Sequence, residues 1–240
     1  MVEQDLLISR SMIALFSDEF LAEKLAFRGG TALHKLFSRE APRYSEDLDL
    51  IQKTGEPIKP ICDQIRSVMG WLDEKPAYKQ KGDIFTFYFK FQPEGPIDAM
   101  RKIKVEINCR EHTPYLGNKE IPYEISNSFF SGKANISTFE LEELLASKVR
   151  ALYQRKKGRD LFDLWYALQH PQVDPAKIFE ALPHYLPGVT QRMLLQNVEK
   201  KIQSKAFTQD ILPLLRPSIA YNPTLAWEQV RELIEEQKQF

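Results

Sequence analysis

The sequence predicts an α+β protein in which helices and strands alternate through the first half, while the second half is all helical. Residues 47–51 and 103–108 alternate polar and apolar side chains, the period-two pattern of half-buried strands. Residues 84–91 are rich in aromatic side chains, which strands favour. After about Gly132 the apolar residues recur with helical spacing, so we expect domains over residues 1–135 and 136–240.

Local patterns place the elements of the first half. Apolar residues at helical spacing predict a helix over residues 5–24, with Ser17 and Asp18 offering a cap for a second short helix within it. Residues 27–31 are typical of a turn that opens a short helix. A further helix is predicted over residues 58–71, between the first strand and the aromatic one.

Capping signals organise the second half. Ser137 and Glu140 form a capping-box pattern, which predicts a helix from there to Lys157. Gly158 follows directly and would close that helix, and Asp160 would cap the next one. The remaining helices are predicted over residues 161–169, 176–182, 192–203, 210–215 and 225–238.

Composition excludes several classes of protein. The chain has 240 residues, 43% hydrophobic and 28% charged, which is typical of a folded protein rather than a disordered one. Its 33 basic and 33 acidic residues cancel, so a strongly basic nucleic-acid coat is excluded, although a local basic patch is not. No apolar run approaches the roughly 18 residues of a membrane helix. An acidic N-terminus and two isolated cysteines, Cys62 and Cys109, favour a cytoplasmic protein without a membrane partner.

Two acids on the first strand are the sharpest chemical feature. Asp47 and Asp49 are two residues apart, so on a strand both carboxylates project from one face while Leu48 and Leu50 face the core. Neighbouring carboxylates repel each other and attract a divalent cation, and hard oxygen ligands suit Mg²⁺. For the acid pair alone, the alternative is a solvated edge strand with two surface acids.

A glycine turn upstream favours the metal site over the alternative of two surface acids. Gly29, Gly30 and Thr31 stand at the predicted start of a helix, where free backbone N–H groups bind anions and glycines let a phosphate approach. Thr31 would cap the helix or donate its hydroxyl to a phosphate. The alternative is a simple turn and cap.

A third acid lies on a later strand. If the strand of Glu106 pairs beside residues 47–51, Glu106 joins Asp47 and Asp49 on one face. Three carboxylates form the usual protein part of a two-metal phosphoryl-transfer site, and the third can also act as a general base. The alternative is an outward-facing glutamate.

Two segments resemble a known family. Residues 27–33 read Phe-Arg-Gly-Gly-Thr-Ala-Leu, and residues 43–50 read Arg-Tyr-Ser-Glu-Asp-Leu-Asp-Leu. Both are similar to motifs of the AbiEii/AbiGii-type nucleotidyltransferase toxins, which belong to the DNA polymerase β-like nucleotidyltransferase superfamily. The resemblance implies a polymerase β-like fold with a small mixed sheet. It also implies nucleotide binding at the glycine turn and Mg²⁺, with Mn²⁺ as the alternative ion, on the three acids.

The helical half carries two further motifs of the same family. Lys148-Val-Arg-Ala-Leu, and then Gly-Arg-Asp-Leu-Phe-Asp-Leu over residues 158–164, resemble segments that bring a lysine and an aspartate to the nucleotide. The resemblance therefore implies that the helical domain contributes Lys148 and Asp160 to the active-site cleft, with Asp163 as the other choice of acid. The alternatives are a solvated lysine and an Asp160 that only caps its helix, with Asp163 at the third helical position.

Several positions are weaker nucleotide-binding candidates. Ser45 would face the same side as Asp47 on an extended strand, and the resemblance also makes it a candidate for inactivating phosphorylation. Arg43 would contact phosphate or pair with a carboxylate. A basic cluster in the helical half would supply phosphate contacts to RNA, namely Lys148, Arg150, Arg155, Lys156, Lys157 and Arg159.

The predicted function combines these features. The site would move a nucleotide from a nucleoside triphosphate onto an acceptor hydroxyl and release pyrophosphate. The resemblance implies the toxin of a bacterial toxin–antitoxin or phage-defence pair, with tRNA as the acceptor and a cognate antitoxin encoded nearby. The alternatives are a nucleotide-binding module without turnover, and a nucleotidyltransferase acting on a small molecule or a protein.

Overall fold

The computed structural model describes residues 2–38, 40–94 and 99–237. The chain divides into two compact units. The first, here called the sheet unit, comprises Met1–Arg39 and Tyr44–Phe139. The second, the helical unit, comprises Glu40–Arg43 and Glu140–Phe240. Within the described ranges, no helix is both long enough and apolar enough to cross a membrane.

The sheet unit interleaves helices and strands along the chain. Its helices are α1 Val2–Ser17, α2 Glu19–Lys24, α3 Gly29–Phe37 and α4 Lys59–Val68. Its strands are β1 Leu25–Arg28, β2 Asp47–Gln52, β3 Ala77–Lys81, β4 Ile84–Phe91, β5 Arg101–Asn108, β6 Asn118–Ser126 and β7 Ser131–Phe139. The predicted cap between the first two helices is confirmed, because the Asp18 carboxylate accepts the backbone N–H of Leu21 at 2.9 Å.

The seven strands form one mixed sheet in the order β3-β4-β5-β2-β1-β7-β6. β2 runs parallel to β5 and β1 parallel to β7, while the other neighbours are antiparallel. Such a sheet with helices segregated around it is an α+β fold. The predicted fold class, a mixed sheet followed by a helical half, is therefore confirmed.

One face of the central strands carries the core of the sheet unit. Leu48 and Leu50 of β2, Val105 of β5 and Phe87 of β4 are at most 1% exposed. Burying each such side chain contributes roughly 1.5–3 kcal/mol, and α1 adds apolar residues such as Met12. The period-two pattern therefore directs the polar residues of the same strands to the opposite face.

The helical unit is built around α5. Its elements are α5 Leu141–Gln154, α6 Gly158–Leu168, α7 Pro175–Tyr185, α8 Gln191–Ile202, α9 Lys205–Thr208, a 3-10 turn Leu212–Leu214 and α10 Pro223–Glu236. α5 contacts α6, α7 and α8, and α10 contacts α6 and α8. Side-chain caps begin α7, α8 and α10, supplied by Asp174, Thr190 and Asn222. Residues 40–43 join this unit through the bridge between Arg43 and Leu215.

The sequence patterns did not predict several of the strands. β1 includes the first two residues of the turn predicted over residues 27–31, and β3, β6 and β7 were not predicted, whereas the helix that this turn opens starts at Gly29. Ser137 lies in β7 opposite Glu120, so the predicted capping box is wrong. The N-cap of α5 is Glu140, which makes no side-chain capping bond. Backbone pairing across the sheet outweighed the local capping signal.

The junction between α5 and α6 also differs from the prediction. α5 ends at Gln154, and Gly158 is the first residue of α6 rather than the end of the preceding helix. A Cβ at Gly158 would lie 2.1 Å from the Phe207 carbonyl oxygen, so the glycine permits a close backbone approach. Lys157 occupies the N-cap of α6, and the prediction of Asp160 as the cap is therefore wrong.

The last predicted helices need smaller corrections. Instead of one helix over residues 210–215, the chain forms the short helix α9 and the 3-10 turn. Pro213 in this segment lacks the backbone N–H that a continuous helix would need. The helix predicted over residues 225–238 is α10, which begins two residues earlier and ends at Glu236; residue 238 lies outside the described residues.

Candidate active site

Parallel pairing of β2 and β5 brings the three predicted acids onto one face. Asp49 stands directly opposite Glu106, and Asp47 stands opposite Lys104. Residues opposite each other on neighbouring strands project to the same side, away from buried Leu48 and Val105. The carboxylate side chains of Asp47 and Glu106 are 43% and 30% exposed, so ligands can reach them.

The glycine turn meets this face at Asp49. β1 ends at Arg28, which lies opposite Asp49, and α3 starts at the next residue. Gly29 has a φ of +82°, and a Cβ there would lie 2.2 Å from the Asp49 Oδ2 atom. Only glycine fits both the backbone conformation and the space. The turn that would receive phosphate is therefore in contact with one of the acids.

The N-terminus of α3 has the features of an anion site. Gly29 and Gly30 form its first turn, and the N-cap Arg28 makes no side-chain capping bond. Backbone N–H groups at such a helix start attract negative charge. The Thr31 hydroxyl is buried and donates to the Asp47 carbonyl oxygen at 2.6 Å, so it ties α3 to β2.

Sequence reasoning missed Lys104, which lies between the acids. Its ammonium nitrogen is 2.9 Å from the Glu106 Oε2 atom and 3.5 Å from the Asp47 Oδ2 atom. Burial opposes the charge of Lys104, but the two carboxylates outweigh it and raise its pKa. The signal was present in the sequence, since Lys104 precedes Glu106 by two residues on the same strand and therefore shares its face.

The electrostatics of the acids favour a bound cation. Burial raises the pKa of Asp47, and Lys104 offsets only part of this effect. Burial, followed by the charge of Asp47, raises the pKa of Asp49. A positive charge beside two carboxylates that resist ionisation stabilises their charged forms.

The donor chemistry fits a hard divalent cation. Asp47, Asp49 and Glu106 offer carboxylate oxygens, which Mg²⁺ prefers, and the Lys104 ammonium already supplies positive charge between two of them. In the described part of the chain, no three metal-binding side chains are yet arranged around a single point. Asp47, Asp49 and Glu106 are the residues that would hold such an ion.

The motif residues of the helical unit form a buried ion cluster. Asp163 accepts two bonds from the Arg43 guanidinium, at 2.6 and 2.7 Å, and lies 2.7 Å from the Lys148 ammonium. Asp160 accepts two bonds of 2.6 Å from Arg155 and lies 3.6 Å from Lys148. The side chains of both aspartates are 0% exposed, and that of Lys148 is 7% exposed.

The buried ion cluster shows which partners the predicted residues of the helical unit have in the structure. Arg43 pairs with a carboxylate, one of its two predicted roles, and the two aspartates both hold Lys148. Asp163 outweighs the burial of Arg43 and raises its pKa. The predicted contact of Lys148, Asp160 or Asp163 with a nucleotide stays a prediction. Ser45 lies before the start of β2 and is half-buried, and its nucleotide role also stays a prediction.

Part of the basic cluster predicted for RNA is paired with carboxylates of the helical unit. Besides Lys148 and Arg155, Lys157 and Arg159 both reach Asp210, at 3.2 and 3.6 Å. The Arg150 guanidinium lies 5.5 Å from the centre of the Tyr185 ring. These cations have partners within their own unit, and their contact with RNA stays a prediction.

Comparison with protein families shows which family the chain belongs to. The family model described as "Nucleotidyl transferase AbiEii toxin, Type IV TA system" matches residues 10–235. The chain belongs to the AbiEii nucleotidyltransferase toxin family. It is therefore a nucleotidyltransferase family enzyme and a toxin of the type IV toxin–antitoxin class, which implies a cognate antitoxin.

Two solved structures are similar to this chain, and the first of them shares its fold. MenT4, a nucleotidyltransferase toxin from Mycobacterium tuberculosis H37Rv, superposes with a TM-score of 0.62 at 16% identity, covering 98% of this chain and 84% of that one. An antigenic nucleotidyltransferase-like protein from Paracoccidioides brasiliensis gives a TM-score of 0.48 at 16% identity, covering 85% of this chain and 90% of that one. No curated protein matches the sequence significantly.

Proposed function

We propose that this AbiEii protein transfers a nucleotide from a nucleoside triphosphate to a hydroxyl of tRNA in a magnesium-dependent reaction. One observation carries the proposal: Asp49 lies opposite Glu106 on parallel strands while Gly29 contacts Asp49 from the start of α3. Acids that would hold a cation and a helix start that would hold phosphate therefore lie on neighbouring elements.

Asp47, Asp49 and Glu106 would hold the metal, Mg²⁺ or Mn²⁺, in a one- or two-ion arrangement. When bound there, the metal supplies positive charge that neutralises the triphosphate and lowers the pKa of the acceptor hydroxyl. The family is the reason to expect an ion, and the carboxylate chemistry of this face supports it.

The residues of the chain supply binding and proton transfer. The N–H groups at the start of α3 would hold triphosphate oxygens beside Gly29 and Gly30. The acceptor oxygen attacks the α-phosphorus, a new oxygen–phosphorus bond forms, and the bond to the β-phosphate breaks to release pyrophosphate. Glu106 would accept the hydroxyl proton and later return it to solvent.

The biological setting is part of the same proposal. A type IV system implies a cognate antitoxin, which we propose is encoded beside this protein. We place the reaction in the bacterial cytoplasm, where nucleoside triphosphates and tRNA are available, and we propose phage defence as its context. Removing the tRNA acceptor end from translation would explain a toxic effect.

Incubation of the protein with labelled nucleoside triphosphates, Mg²⁺ and total tRNA tests this proposal. We expect labelled tRNA from the parent, at least a hundredfold less from Asp47→Ala or Asp49→Ala, and none after chelation of the metal. Asp63→Ala, an exposed acid of α4, is the matched control and should retain full activity. Equal labelling by the parent and Asp49→Ala would refute the site; labelling of a protein or small molecule alone would refute the tRNA acceptor.

A further inference from the structure

Exposed lysines line the polar face of the sheet next to the acids. We call Lys79 and Lys81 of β3, Lys90 of β4 and Lys102 of β5 the lysine face. All four are exposed. Among the residues that the structure describes, none of them forms an ion pair with a carboxylate. These lysines therefore add positive charge to the face that carries the acids.

Strand register makes the lysine face continuous with the candidate active site. Lys79 lies opposite Thr86, Thr86 opposite Glu106, and Glu106 opposite Asp49. One row of side chains thus crosses four strands from a lysine to the acids. Neighbouring strands are about 5 Å apart, so Lys79 lies on the order of 10 Å from Glu106 at the backbone.

Lys90 and Lys102 extend the lysine face along strands β4 and β5. Lys90 stands directly opposite Lys102, and Lys102 precedes Lys104 by two residues, about 7 Å along β5. Like charges placed directly opposite each other destabilise a sheet. Lysines on an edge strand such as β3 commonly prevent aggregation, but β4 and β5 are interior strands. Edge protection therefore does not account for the Lys90–Lys102 pair, whereas an anionic ligand would offset its repulsion.

An aromatic side chain lies within the same surface. Phe85, Phe87, Phe89 and Phe91 of β4 point into the core, whereas Tyr88 lies half-buried on the polar face opposite Lys104. The Lys102 ammonium lies 4.6 Å from the centre of the Tyr88 ring. A basic surface with an aromatic ring suits single-stranded nucleic acid, since phosphates pair with the lysines while a base stacks on the ring.

We infer that the lysine face and Tyr88 bind the single-stranded 3′ end of an RNA and direct its terminal hydroxyl toward Glu106 and Asp49. This inference rests on the proposed function, because it assigns the surface that presents the acceptor. RNA is favoured over an acidic protein because Lys79 lies in one row with the residues that would act on a terminal hydroxyl, and the other lysines lie on the same face.

Fluorescence anisotropy with a 5′-labelled single-stranded RNA of about twelve nucleotides tests the inference. The variant Lys79→Gln/Lys81→Gln/Lys90→Gln/Lys102→Gln should bind at least about tenfold more weakly near 0.1 M salt. The slope of log affinity against log salt should fall by about 0.7 for each phosphate that the variant no longer neutralises. Tyr88→Leu should weaken binding about fivefold or more and leave that slope unchanged.

Matched controls separate this surface from net charge and from the proposed function. The variant Lys133→Gln/Lys177→Gln/Lys200→Gln/Lys205→Gln removes the same charge from exposed positions elsewhere and should bind RNA as the parent does. Parent-like binding by the lysine-face variant would overturn the inference, as would displacement of the RNA by polyglutamate at equal concentration. RNA binding that depends on the lysine face, with no nucleotide transfer by the parent, would support the surface and refute the proposed function instead.

Discussion

Gly29 is the residue on which the geometry of the acids depends most directly. Its positive φ and its contact with Asp49 leave no room for a side chain. We expect Gly29→Ala to lower the rate of nucleotide transfer by about a hundredfold, because a displaced carboxylate no longer meets the substrate. The assay is tRNA labelling under saturating nucleotide.

Gly82 provides a matched control for that substitution. Its φ is also positive, +57°, but a Cβ there would meet nothing within 4 Å. Gly82→Ala and Gly29→Ala should both lose roughly 1–2 kcal/mol of stability from backbone strain. Only Gly29→Ala should lose activity, and equal activity of the two variants would contradict the role of the close approach.

Asp163 carries the second prediction at the residue scale. Its carboxylate compensates Arg43 and Lys148, both nearly inaccessible to solvent. Asp163→Asn leaves two buried cations with one fewer charge partner, so the free energy of unfolding should fall by about 3–5 kcal/mol. Urea denaturation followed by circular dichroism measures it.

The control is an ion pair in solvent. Arg231 and Glu235 lie 2.9 Å apart on α10, and both side chains are nearly half-exposed. Glu235→Gln should leave the urea midpoint unchanged, since exposed pairs contribute little. If Asp163→Asn were equally silent, the buried cluster would not stabilise the helical unit.

At the scale of elements, the start of α6 depends on a close backbone contact. A Cβ at Gly158 would lie 2.1 Å from the Phe207 carbonyl oxygen and 3.2 Å from its carbon. Because backbone atoms cannot rotate away, Gly158→Ala should lower the free energy of unfolding by about 1–3 kcal/mol. Gly55→Ala, whose nearest atom is His112 Nε2 at 3.7 Å, should lie within about 0.5 kcal/mol of the parent.

The same comparison tests whether the close contact with Phe207 requires glycine at position 158. Urea midpoints of the two variants, measured side by side, provide the readout. If the two alanine variants were equally stable, Gly158 would not be required by packing against Phe207. The prediction of Gly158 as a helix C-terminus is already excluded by its place at the first residue of α6.

The strands also explain why part of the candidate site could be predicted from the sequence. The alternation in β2 and β5 assigns each polar side chain to one face, and this property is local to a strand. The pairing of β2 with β5 joins residues more than fifty positions apart, so only the fold sets it. The same limit hid β6 and β7, whose pairing overrode a capping pattern at Ser137.

For the whole molecule, metal binding should appear as a gain in thermal stability. A ligand that binds only the folded state raises the free energy of unfolding, by about 2.7 kcal/mol at a hundredfold excess over its Kd. Scanning calorimetry with increasing Mg²⁺, at constant ionic strength, should show a rising melting temperature for the parent. Asp63→Asn should behave as the parent does, because its carboxylate lies outside the site.

Asp49→Asn should differ from the parent in its melting temperature without metal and in its response to Mg²⁺. Burial and Asp47 raise the pKa of Asp49, so its ionised form destabilises the metal-free fold at neutral pH. This cost diminishes as the pH falls and Asp49 binds a proton. The variant should therefore melt at or above the parent without metal at pH 7, and it should gain nothing from Mg²⁺. An equal Mg²⁺ response from the two proteins would argue against Asp49 as a ligand.

The sequence by itself determined which chemistry is available and which faces of the strands carry it. Side-chain type and period-two alternation are local, so Asp47, Asp49, Glu106 and the glycine turn were readable without a fold. Only the tertiary structure decided that β2 and β5 are parallel neighbours, that Lys104 lies between the acids, and that Lys148 is buried in ion pairs. These facts depend on contacts between distant segments, and a local pattern does not specify the partner of a strand or the counter-ion of a charge.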